Sequence, residues 1–120
     1  MDDMYREIIL EHYKHPQNSG VLDKPCIHHK ETNPLCGDEF DVYVRIIDDK
    51  IAAIAFTGKG CAISTASASL LTEKIKGMSV TDVRALTSDQ VVENLGIEIN
   101  PARMKCATLI LKAIQNTVVK

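Results

Sequence analysis

The chain has 120 residues, 45% of them apolar and 25% charged, with a formal net charge of −2. That size and balance suit one globular domain spanning 1–120, whose core is large enough to fold without disulfides or a structural metal. A net negative charge, three Tyr, two Phe and no Trp argue against a nucleic-acid surface, which needs clustered cations and stacking rings. No apolar run reaches the ~20 residues that cross a bilayer, so no membrane association is expected. The acidic opening Met1-Asp2-Asp3 lacks the positive n-region of a signal peptide. The expected compartment is the cytoplasm, where thiols stay reduced. Four cysteines there point to metal or sulfur chemistry, or to core packing, before disulfides.

In chain order, residues 2–14 predict a helix with Tyr5, Ile8, Ile9, His12 and Tyr13 on one face. His15-Pro16-Gln17-Asn18-Ser19-Gly20 reads as a turn. Three strands are then expected. Residues 26–32 are weakly patterned. Residues 39–47 alternate clearly, with Phe40, Val42, Val44 and Ile46 between Glu39, Asp41, Tyr43 and Arg45. Asp48-Asp49-Lys50 turns the chain, and 51–57 returns as the partner of an antiparallel hairpin. Residues 62–76 predict a helix rich in small residues, ending at Gly77. Short helices are expected to start near Ser79 and Ser88. From Pro101 onward, Cys106, Leu109, Ile110, Ala113, Ile114, Thr117 and Val118 fall on one helical face. Strands first and helices afterwards indicate an α+β fold: a small three-stranded antiparallel sheet with helices packed on one face.

Three cysteines carry features beyond packing. Cys36 lies in Asn33-Pro34-Leu35-Cys36-Gly37-Asp38, where Pro34 and Gly37 predict a turn that displays the thiol, and Asp38 adds a hard oxygen ligand two residues away. Cys61 follows Gly58-Lys59-Gly60 and opens a helix, whose N-terminal dipole favours thiolate. Cys106 sits early in the last helix beside Arg103 and Lys105, cations with the same effect. Packing is the competing account, since free cysteines are among the most buried residues and Cys106 lies on an apolar stripe. Twenty-four residues separate Cys36 from Cys61 and forty-four separate Cys61 from Cys106, which matches no local zinc motif. Cys26 has no acidic or glycine neighbour and reads as structural. His28 and His29 point to opposite faces of a strand and cannot chelate together. Gly58-x-Gly60 is too short for a phosphate loop. No Gly-x-Ser-x-Gly elbow accompanies Ser64, Thr65, Ser67 and Ser69, which leaves them packing and capping roles.

The segments Asn33 to Asp38, Gly60-Cys61-Ala62-Ile63-Ser64-Thr65-Ala66-Ser67-Ala68-Ser69 and Arg103-Met104-Lys105-Cys106-Ala107 together resemble the three cysteine motifs of the IscU/SufU/NifU N-terminal family. The opening Tyr5…His12-Tyr13-Lys14-His15-Pro16-Gln17-Asn18 is similar to that family's first helix and turn. The resemblance covers nearly the whole chain, in order. It implies that Cys36, Asp38, Cys61 and Cys106 converge as ligands, with Lys105 beside them. It implies an assembly scaffold rather than an enzyme: persulfide sulfur arrives from a cysteine desulfurase, a labile [2Fe–2S] cluster is built with iron, and the cluster passes to acceptor apoproteins. The ligand set is completed within one chain or across a homodimer. Thiolates are the standard ligands of such clusters. The alternative it implies is a SufU-type, zinc-dependent sulfurtransferase partner, with Zn²⁺ in place of the cluster. Lys105, where IscU proteins carry His, and the Ala66-Ser67-Ala68-Ser69 run are SufU-like. The absence of the SufU insertion before the third motif is IscU-like, and Asn100 to Lys105 does not match the Leu-Pro-Pro-Val-Lys chaperone element.

Overall fold

The computed structural model describes residues 3–34, 37–96, 99 and 101–119. Helix α1 (Asp3–Lys14) leads to strands β1 (Ile27–Asn33), β2 (Asp38–Ile47) and β3 (Lys50–Lys59). Helices α2 (Ala62–Ile75), α3 (Val80–Arg84), α4 (Ser88–Leu95) and α5 (Pro101–Val118) follow. The strands form one antiparallel sheet in the order β1-β2-β3. The alternation of 39–47 is realised: Asp38, Phe40, Val42 and Val44 face inward and are buried, while Glu39, Asp41, Tyr43 and Arg45 lie on the partly open face. Every residue predicted for the inner face of the last helix is buried, and α5 packs over β1 and β2 on the inner face with α2 beside it. Phe40 and Phe56 meet edge to face at 5.7 Å within this core.

Local chemistry explains the turns. Ile47 pairs with Lys50 around Asp48 and Asp49, both at positive φ (53° and 62°), so the hairpin closes through a two-residue mirror-image turn whose twist matches the strands. A bulge shifts the register after Arg45, so that Ile51 and Ile54, an odd number of residues apart, both reach the core. Ser79 caps α3 and Gly77 takes positive φ just past α2, as its sequence position predicts. The cap of α4 is Thr87, one residue earlier than the start near Ser88, in a reciprocal capping box with Gln90. Gln115 of α5 donates its side-chain amide to the carbonyls of Val83, Arg84 and Leu86, which supplies partners for the end of α3.

Some expectations are corrected. The shared face of α1 is only partly covered: Ile9 is buried, but Ile8 and Tyr13 are exposed, because the helix packs mainly on α2 and one contact line covers only part of the face. The side chain of Tyr5 lies outside those described. Cys26 precedes β1 instead of lying within it, and its thiol faces the Leu22 carbonyl at 3.7 Å. Strand β3 continues through Gly58 and Lys59, beyond the predicted end. No helix among the described residues is long and apolar enough to cross a membrane.

Gly58 is essential to that longer strand. Its φ is +151°, and a Cβ there would sit 2.1 Å from the Glu39 carbonyl oxygen and 2.9 Å from the Phe40 Cα. These are backbone atoms of the paired strand and cannot swing aside. Gly58→Ala is expected to lower unfolding stability by on the order of 2–4 kcal/mol, from backbone strain plus overpacking. A urea melt showing a reduced midpoint at unchanged slope checks this, and an unshifted midpoint would refute it.

Candidate metal centre

The end of the sheet where β2 starts and β3 finishes is also where α2 begins and where the early turns of α5 arrive. Asn33 pairs with Asp38, and the Gly37 N–H donates to the Asn33 carbonyl at 2.8 Å, which closes the β1–β2 turn. Asp38 is the first residue of β2 and shares the inward face of Phe40, so its side chain is only 7% exposed. Across the hairpin, Glu39 pairs with Lys59, which delivers the chain through Gly60 to Cys61.

Cys61 is the N-cap of α2, with φ −70° and ψ 175°. Its Sγ accepts the Ser64 N–H at 3.5 Å, and the Ser64 hydroxyl donates to the Cys61 carbonyl at 3.1 Å. A sulfur thus takes the place usually held by a Ser or Asp oxygen, because the first amides of a helix have no partner within it. Burial and the nearby Asp38 charge raise the thiol's pKa. The Ser64 N–H, the Ser64 hydroxyl and the Ile63 N–H outweigh them, so the Cys61 thiol titrates below the ordinary thiol range. Gly60 leaves room beside it for the Ser64 side chain: a Cβ there would lie 2.2 Å from the Ser64 Oγ and force that hydroxyl to move. Cys106, in the second turn of α5, is buried. Its distance from Cys61 is held by Ser67, whose hydroxyl donates to the Ala107 carbonyl at 2.6 Å and ties α2 to α5.

Asp38, Cys61 and Cys106 consequently present one carboxylate oxygen and two Sγ atoms that all lie within 4.8 Å of one another. Donors around a tetrahedral Zn²⁺ with bonds of 2.0–2.3 Å stand about 3.5–3.8 Å apart, so small side-chain adjustments suffice. Asp38 Oδ2 is buried and finds no hydrogen-bond partner among the described residues. A buried carboxylate oxygen without a partner is costly, and a cation relieves that cost. The donor set therefore fits either Zn²⁺ or an iron of a sulfide cluster. Cys36 lies outside the described residues. Lys105 is exposed and faces the β1–β2 turn, lining a pocket with Thr32 and Pro34.

Ser64 and Ser67 take the capping and packing roles expected of the Ser-rich start of α2, while Gly60 carries no comparable signal in the sequence. The available signal was the spacing of Cys61 and Ser64, three residues apart at a helix start, which is the geometry of a cap. Ser69 has a different role, away from Asp38, Cys61 and Cys106. Its Oγ accepts the Gln17 N–H at 2.8 Å and lies 2.6 Å from His12 Nδ1, which fastens α1 and the following turn to α2.

A family model described as the NifU-like N terminal domain matches residues 4–120. This chain belongs to that family. The zinc-dependent sulfurtransferase SufU of Bacillus subtilis is 36% identical, with 100% of this chain and 92% of that protein covered. That alignment runs over 137 positions, so the relative carries residues with no counterpart here. The iron–sulfur cluster assembly scaffold protein IscU of Haemophilus influenzae is 33% identical, covering 95% of this chain and 92% of its own. A crystal structure of a protein of unassigned function, 29% identical over the whole of both chains, shares the fold with a TM-score of 0.83. The NifU-like chain described here thus has relatives whose names carry both chemistries that its donor set fits.

Proposed function

We propose that this NifU-like domain is a scaffold on which iron–sulfur clusters are assembled, with Cys36, Asp38, Cys61 and Cys106 as its ligands. The observation that carries the reading is the meeting of Asp38, Cys61 and Cys106 within 4.8 Å, from positions far apart in the chain. Cys36 is assigned as the fourth ligand from its motif, two residues before Asp38. The iron and sulfide are cargo, and the protein's part is to receive, hold and release them. Sulfur arrives as the persulfide of a cysteine desulfurase: a scaffold thiolate bonds to the outer sulfur and the desulfurase thiolate leaves. A thiol whose pKa is lowered by helix amides, as that of Cys61 is, suits that attack. Three thiolates with one carboxylate hold a [2Fe–2S] cluster less firmly than four thiolates do, which favours transfer to acceptor apoproteins. A reducing cytoplasm, where thiols stay available for sulfur and metal, suits this chemistry.

Anaerobic reconstitution with iron, a sulfide source and reductant is expected to give a brown protein with sulfur-to-iron charge-transfer absorption. Size-exclusion chromatography of that sample reports whether the cluster is held by one chain or by a homodimer. A colourless product that keeps full zinc occupancy would refute the scaffold reading.

The second reading, a zinc-dependent sulfurtransferase partner, is favoured by the 36% identity to SufU and by Lys105. There the residues would hold Zn²⁺, which supplies a tetrahedral anchor that keeps the thiols ionised. Metal analysis of protein purified without added metal, with desulfurase turnover measured in its presence and absence, separates the two readings.

A further inference from the structure

Beside the proposed ligands, the end of β1 with Pro34 and the exposed flank of α5 border an open pocket of about 220 Å³. Lys105, Leu109 and Lys112 of α5 line one wall at steps of four and three, one helical stripe, and Thr32 and Pro34 line the other. The turn that supplies the second wall leads directly into Asp38, and Lys105 precedes Cys106, so the pocket shares both of its walls with the metal centre. Neither lysine forms an ion pair among the described residues, and no described acidic residue lines the pocket. Two uncompensated cations stand together on a chain whose net charge is −2.

We infer that this pocket is the anchor for an acidic side chain of the protein that delivers sulfur, and so orients that partner over the thiols. The inference rests on the scaffold or sulfur-acceptor reading above and extends it to the partner's chemistry. Size decides between ligand classes: small-molecule sites occupy ~300–1,000 Å³, and this smaller, open pocket suits one Asp or Glu side chain entering from above. Leu109 and Pro34 give its aliphatic stem an apolar contact, and the two ammonium groups meet its carboxylate. Position supports the same occupant. Persulfide sulfur reaches the thiols only if the donor protein covers this rim, which places its surface over Lys105 and Lys112. A cationic rim of this kind sets orientation and association rate.

The test measures binding of the full chain to the cysteine desulfurase of the same organism, at low and at high salt. Lys105→Glu/Lys112→Glu is expected to raise Kd at least tenfold at low salt, and Lys112→Glu alone at least threefold. Both effects should shrink at high salt as the charges are screened. Lys30→Glu, on the open face of the sheet opposite the helices, should leave Kd within twofold of the parent. Circular dichroism and melting temperature identify a variant that has failed to fold, and Lys112→Gln then takes its place with an expected threefold loss. Parent-like binding by the folded double variant would overturn the anchor while leaving the function standing. Failure of the parent chain to bind or accept sulfur from the desulfurase would overturn both. Inorganic phosphate shifting the NMR signals of Thr32, Lys105 and Lys112 at submillimolar concentration would replace the protein side chain with a free anion.

Discussion

Cys106→Ala is expected to abolish cluster loading, with less than a tenth of the parent's iron and sulfide retained after reconstitution. Cys61→Ala and Cys36→Ala should behave alike. Each substitution removes a thiolate, the donor to which iron–sulfur units and zinc bind most strongly. No described side chain nearby replaces it, since Asp38, Cys61 and Cys106 are the only such cluster of His, Cys, Asp or Glu among the described residues. For zinc, loss of one thiolate is expected to weaken affinity by on the order of a hundredfold or more, about 3 kcal/mol. The fold should survive. Cysteine to alanine deletes one atom, so even at the buried Cys106 the cost is about 1 kcal/mol. Cys26→Ala is the control. Cys26 precedes Ile27, which pairs with Val44, whereas Asn33 pairs with Asp38, so some 20 Å of strand separates Cys26 from the site. Metal analysis and absorption spectra after identical reconstitution read the series. Parent-like iron content in Cys106→Ala would remove that residue from the ligand set.

What the sequence makes legible depends on whether the information is local. The alternation from Glu39 to Ile46 and the stripe from Cys106 to Val118 each report one buried face; the stripe is realised residue for residue, and the alternation holds as far as Arg45, where the bulge leaves Ile46 only partly buried. Strand β1 is harder to read because Ile27-His28-His29-Lys30-Glu31 pairs with β2 on one side only, and its exposed positions carry no apolar pattern. The α1 face misleads for a related reason. Ile8 and Tyr13 have the spacing of a core helix, yet the helix packs mainly on α2 and leaves them exposed. At the site, a thiol at a helix start is a local fact, and Cys61 does cap α2. The approach of Cys106 and Asp38 to it depends on the register of β2 with β3 and on the Ser67 bond between helices. No spacing rule encodes those contacts. Family resemblance supplied the convergence, because it carries the outcome of folding that a single sequence leaves implicit. Gly58 illustrates the same limit: the glycine is visible in the sequence, but the Glu39 carbonyl that demands it is not.

Asp38→Ala should separate the cost of the carboxylate from its use. In metal-free protein Asp38 Oδ2 is buried without a hydrogen-bond partner among the described residues. Removing it is expected to raise stability by about 1–2 kcal/mol, the cost of an unsatisfied buried polar group less a small packing loss. With zinc bound the order should reverse. An ion at 1,000 times its Kd stabilises the parent by about 4 kcal/mol, and losing one of its ligands removes a large part of that gain. Two melting curves for each protein, with and without metal, therefore cross over. Cluster transfer supplies the second readout. A carboxylate is the poorest donor to iron in the set, so it is the ligand an incoming thiolate displaces most readily. Its unpartnered oxygen can also draw water or that thiol towards the metal, and alanine offers no equivalent. The variant is expected to keep a reconstituted cluster in air at least as long as the parent, and to pass it to an apo-ferredoxin more slowly. Parent-like melting in both states, together with a parent-like transfer rate, would show that Asp38 is no ligand and reduce the site to its three cysteines.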